Sequence, residues 1–191
     1  IASVSSVWFS DAFFGSAHIF DLSGVSINLG HMLPPALMAG PVFGLLAVLF
    51  MLAIRYSASF AARSGWSPAR LLLTAAIGTG VIGMFIPEVL GLGTSALASM
   101  LDGGLDPVYL LALLFAKLLL TALCIGFGLF GGVFSPALFV GAAAGAVMGQ
   151  IMVDIMGFGS MTALSICGMA AVASAVIGCL LYTSPSPRDV R

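Results

Sequence analysis

Long uncharged runs alternate along this chain with short polar interruptions, and the runs are too long for strands. Residues 34–54 carry no charge and close at Arg55, and residues 71–86 stay apolar up to Pro87. Residues 108–125 are broken only by Lys117, and residues 136–153 and 162–177 follow. A helix needs about 20 apolar residues to cross a hydrocarbon core roughly 30 Å thick. These segments approach that length, so each reads as a membrane-spanning helix. Residues 1–14 read as the end of a further helix stopped near Gly15, and residues 16–31 as a loop.

Local signals punctuate the runs. Pro34-Pro35 opens one at positions that tolerate a missing N–H. Ser67-Pro68 makes an N-cap and first-turn pair for the helix beginning near Ala69. Between these two helices the sequence suggests a loop holding Arg55, Arg63, Ser64, Gly65 and Arg70. Gly91-Leu92-Gly93 leads to a shorter helix ending near Asp102-Gly103-Gly104, and Pro107 opens the next long run. The spans are uneven, with glycine breaks at membrane depth. Such breaks are tolerated where the freed backbone is buried in protein or lines a cavity, and they point to a transport site.

Composition strengthens the membrane reading. Of 191 residues, 61% are hydrophobic and 7% charged, against about a quarter charged in soluble domains. So few charges could not cover the surface in water. The net charge of -1, with no basic cluster, argues against nucleic acid as a partner. Cys124, Cys167 and Cys179 sit in apolar runs without metal-ligand spacing and read as buried small hydrophobes. No secretory leader is visible, because Ile1 opens directly into an apolar run without a charged stretch, and the missing initiator methionine suggests a fragment that begins mid-protein. No Ser/His/Asp or Cys/His arrangement suggests an enzyme, and no cofactor or metal site is expected.

One segment carries chemistry: Gly126-Phe127-Gly128-Leu129-Phe130-Gly131-Gly132-Val133-Phe134-Ser135-Pro136. Gly131 and Gly132 suggest backbone conformations closed to other residues and close approach to a ligand. Pro136 suits a first helical turn. The N–H groups of Val133, Phe134 and Ser135 would then lack intrahelical partners, and with the helix dipole they form a site for a small anion. The expected anion-binding residues are Gly132, Val133, Phe134, Ser135 and Pro136. Neutral amides suit a transporter, because a full charge in low dielectric could hold the ion too tightly for release. On the residues alone, tight helix packing is an equal explanation for these glycines.

The hexapeptide from Gly131 to Pro136 resembles the GxFxP signature of the CLC family of chloride channels and proton/chloride antiporters. Lys117-Leu118-Leu119-Leu120-Thr121 before it, Ala137-Leu138-Phe139-Val140-Gly141 after it, and Gly168-Met169-Ala170-Ala171 further on agree with that family. So does Pro87-Glu88-Val89-Leu90-Gly91-Leu92-Gly93 upstream. The resemblance implies an all-α, polytopic integral membrane protein of tilted and broken helices. Residues 1–178 would form part of the family's inverted-repeat domain, the end of the first repeat and the first part of the second.

It further implies a homodimer, an anion pathway in each subunit, and an anion site partly made by the amides of Val133 and Phe134. The expected setting is a lipid bilayer, the cell membrane of a bacterium, with chloride or a similar anion as cargo. The family's gating and proton-transfer glutamates, and its coordinating serine and tyrosine, have no counterpart in this sequence. Channel and antiporter are therefore not separated. From Cys179 onward the sequence departs from the family, and residues 179–191 read as a frame-shifted or foreign tail. Another polytopic transporter and a non-transporting membrane scaffold are the rival readings.

Among the remaining residues, Gly141, Gly145 and Gly149 place small side chains on one helix face and suggest close packing. Gly40 and Gly44 do the same; the resemblance implies that their helix faces the dimer partner. Lys117 lies deep in an apolar run, where a charge is functional, snorkels to the interface or pairs with a helix end. Glu88 and Asp154 lie at segment ends and are expected to face water or lipid headgroups, and Asp11, Asp21, Asp102, Asp106, His18 and His31 to lie in loops. The three arginines 55, 63 and 70 would put their loop in the cytoplasm, whereas the resemblance implies an external loop.

Overall fold

The computed structural model describes residues 29–101, 105–129, 131–157 and 160–183. Among these residues the chain is helical: α1 (Leu29–Arg63), α2 (Pro68–Phe85), a 3-10 turn (Pro87–Val89), α3 (Thr94–Leu101), α4 (Pro107–Gly126), α5 (Phe134–Met156) and α6 (Met161–Thr183). Five of the helices contain stretches long and apolar enough to cross a membrane. Large apolar side chains face outward, among them Met84 at 84% and Phe85 at 83% exposure. That surface needs lipid or further protein, and the molecule is a multi-pass integral membrane protein.

Several boundaries differ from the sequence reading. α1 begins at Leu29, inside the expected 16–31 loop, and runs through Arg55 to Arg63. Residues 55–63 contain no glycine or proline, so a single arginine does not end the helix. The inter-helix loop shrinks to residues 64–67, and Arg70 joins the first turn of α2. At about 1.5 Å per residue, α1 is about 52 Å long, well beyond a bilayer core. α5 starts at Phe134 rather than Pro136, because proline is tolerated anywhere in the first turn, where its N–H is not needed. The expected helix over 1–14, most of the 16–31 loop, the Asp102-Gly103-Gly104 end and residues 184–191 of the tail lie outside the described residues.

Packing centres on the α5–α6 pair. A Cβ on Gly141 would run into the Gly168 carbonyl, one on Gly145 into the Leu164 carbonyl, and one on Gly149 would lie 2.7 Å from Met161 Cα. The two backbones therefore touch along the glycine stripe, as expected for that face. Phe139, Val140, Leu164, Val172 and Val176 fill the surrounding core. Leu110, Leu113 and Leu114 bring α4 into the same cluster, with Phe43 and Phe50 from α1. Gly40 and Gly44, by contrast, face open space. Cys167 is exposed and Cys124 half-buried, so the expectation of buried thiols fails at Cys167: its helix position faces away from the core.

Candidate anion site

The site begins where α4 ends. Leu129 N donates to Cys124 O at 2.9 Å, and Gly128 N donates to Ile125 O at 3.1 Å. These paired bonds, with Gly128 at φ 88°, form a Schellman cap, which a residue in the left-handed region closes. The left-handed glycine is thus Gly128. Gly131 and Gly132 have no positive φ, and a Cβ on either would meet nothing within 4 Å. The expectation that those two adopt glycine-only conformations is corrected: the turn is completed at Gly128.

α5 then starts. Val133 is its N-cap, at φ -77° and ψ -23°, with no side-chain cap, and Ala137 N donates to Val133 O at 3.1 Å. Proline at 136 removes one donor from the first turn. Among the described residues, the backbone bonds flanking α5 include none donated by Val133, Phe134 or Ser135. Ser135 and Pro136 are half-buried, and Phe134 is 53% exposed.

Gly131, Gly132 and Pro136 line a cavity of about 270 Å³ with Lys117, Thr79, Thr121 and Cys124. Val133, Phe134 and Ser135 are not among its lining residues. The five sequence-derived residues are contiguous, and the fold brings two of them to this cavity.

Sequence reasoning placed no full positive charge beside the glycine segment, but the fold brings Lys117 there. Lys117 is buried at 4% exposure. Its Nζ donates to Val89 O at 2.6 Å and Gly91 O at 2.8 Å, and lies 5.0 Å from the Phe139 ring centroid. The partners are the end of the 3-10 turn and the glycine connector, so pairing with backbone carbonyls satisfies the charge. Gly93, at φ 65°, packs so closely on the Phe139 ring that a Cβ would lie 2.6 Å from it. Connector, α4 and α5 thereby lock together one turn beyond the helix start. Nearby, Tyr109 OH donates to Glu88 Oε2 at 2.8 Å. Glu88 is half-buried and hydrogen-bonded rather than simply facing water.

Among the described residues, five helices of this length and apolarity define a polytopic membrane protein. The family described as Voltage gated chloride channel matches residues 1–183, and the chain belongs to that family. Chloride channel protein CLC-f of Arabidopsis thaliana is 32% identical over 165 residues, covering 82% of this chain and 21% of that protein. The H(+)/Cl(-) exchange transporter ClcA of Vibrio cholerae is 32% identical over 119 residues, covering 60% of this chain and 25% of that protein. Chloride channel protein CLC-e of Arabidopsis thaliana is 32% identical over 116 residues, 52% of this chain and 16% of that one. The chain thus spans about a fifth to a quarter of the length of the first two.

Proposed function

We propose that this chain supplies part of a transmembrane pathway for chloride or a similar small anion, and that the amides of Val133 and Phe134 help hold the ion. The observation that carries the reading is the start of α5: N–H groups with no described acceptor, no side-chain cap, and the positive end of a 23-residue helix. An anion met by partial charges can leave again, which conduction requires. The names of the relatives, a chloride channel and a proton/chloride exchanger, agree with this cargo. The working unit is a homodimer, and no chemical catalysis is involved.

The test is chloride efflux from liposomes carrying the protein at its full natural length. Val133→Pro deletes one amide at a residue whose φ of -77° already suits proline. Efflux should fall at least about tenfold, the equivalent of one lost charge-assisted hydrogen bond of roughly 1.5–3 kcal/mol. Efflux unchanged in a folded variant removes the proposal.

A further inference from the structure

Two apolar grooves flank α1 and meet at Arg55. One, of about 190 Å³, lies against α6 and is lined by Gly44, Val48, Met51 and Ala175. The other, of about 680 Å³, lies against α4 and is lined by Leu46, Leu49, Phe115 and Leu119. Leu52 and Arg55 line both. Arg55 is exposed, and among the described residues no carboxylate lines either groove.

The depth of Arg55 follows from its neighbours. Gly126, the last residue of α4, packs directly on Ser57 and Ala58 of α1. One residue on, the Phe127 ring stacks on Phe60 with centroids 6.4 Å apart. α4 has 20 residues and spans about 30 Å, the thickness of the hydrocarbon core. Arg55 therefore lies less than one helical turn inside the end of that span, where a guanidinium reaches the headgroup layer. Tyr56 and Ser59, which also line the α4-side groove, add hydroxyls at that level. From Arg55 the α6-side groove runs toward the start of α1 as far as Gly44, a rise of about 16 Å and close to one leaflet's half of the core. The α4-side groove reaches Leu46 in that direction and Ser59 in the other.

A cation at the junction of two apolar grooves, both leading into one leaflet, matches a molecule with one anionic head and two tails. We propose that a diacyl phospholipid with an anionic headgroup straddles α1 here, its phosphate on Arg55 and one acyl chain in each groove. Arg55 supplies the charge that distinguishes this lipid from a zwitterionic one, and the two grooves distinguish retention at this site from general solvation by lipid. The proposal rests on the membrane setting and not on chloride transport, so either can fail alone.

The experiment is native mass spectrometry of the protein at its full natural length, titrated in mild detergent with phosphatidylglycerol or phosphatidylcholine. One phosphatidylglycerol per subunit should be retained in preference to phosphatidylcholine. Arg55→Gln should weaken that retention about fivefold or more, the effect of one basic residue near an anionic membrane surface. Arg55→Lys should keep most of it. Arg63→Gln, at the end of α1 and outside both grooves, should leave it unchanged, and Leu52→Trp, which crowds both grooves, should reduce it. Equal retention by wild type and Arg55→Gln overturns the proposal. So does a photo-crosslinker at Leu49 that labels another segment of the protein instead of lipid.

Discussion

Lys117 reaches across from the middle of α4 to donate a 2.6 Å hydrogen bond to the carbonyl of Val89, 28 positions earlier in the chain. A second bond to Gly91 O at 2.8 Å completes a clamp on the connector between α2 and α3. A buried ammonium is expensive unless hydrogen-bonded, and buried carbonyls are expensive when left alone. Each side therefore satisfies the other.

Lys117→Met keeps the stem and removes the donors. It should destabilise the protein by about 2 kcal/mol or more, since each buried group left unpaired costs roughly 1–3 kcal/mol. Thermal unfolding in detergent measures the loss. Lys117→Arg retains donors and should lose less; equal losses would mean that volume, not hydrogen bonding, decides the position.

At the α5–α6 contact, Gly145 faces the Leu164 carbonyl with no room for a side chain. Gly145→Val should force the helices apart and cost about 2 kcal/mol or more through overpacking. The same substitution at Gly40, which meets nothing within 4 Å, should be mild in the isolated subunit. If both variants melt alike, the backbone contact is not what holds this pair.

Ser165 sits in that contact, fully buried, with no described partner for its hydroxyl. Removing an unsatisfied hydroxyl also removes its desolvation penalty. Ser165→Ala should therefore be neutral or raise stability by up to ~1 kcal/mol, again by thermal unfolding. A clear loss would reveal a partner for the hydroxyl.

Gly128 at φ 88° is the left-handed residue of the α4 cap. Gly128→Ala should cost about 1 kcal/mol, and hydrogen exchange should quicken at the amides of Gly128 and Leu129, which close the cap. Gly131→Ala and Gly132→Ala, in open space, should leave that exchange unchanged. The three variants separate a turn requirement from a packing one.

The spans were legible because charges are so sparse that their interruptions stand out, and Ser67-Pro68 marks a helix start that the structure bears out. The end of α1 was not legible. Arg55 reads as a stop in a one-dimensional hydropathy pattern, yet nothing in residues 55–63 breaks a helix. The glycine segment drew the eye to Gly131-Gly132, whereas the left-handed turn falls at Gly128, because position relative to the helix end decides which glycine is needed. The contacts of Lys117 with Val89 and Gly91, and of Glu88 with Tyr109, join residues far apart in sequence. No local pattern announces them. Neither could local spacing show that Lys117 borders the cavity of Gly131, Gly132 and Pro136.

The most direct measurement concerns the peptide N–H of Phe134. Replacing that residue by its α-hydroxy analogue exchanges the amide for an ester, deleting one donor while keeping side chain and charge. Calorimetric chloride titration of the protein at its full natural length should then show affinity weakened about tenfold or more, one charge-assisted hydrogen bond being worth roughly 1.5–3 kcal/mol. Chloride affinity equal to that of the unmodified protein would contradict the account.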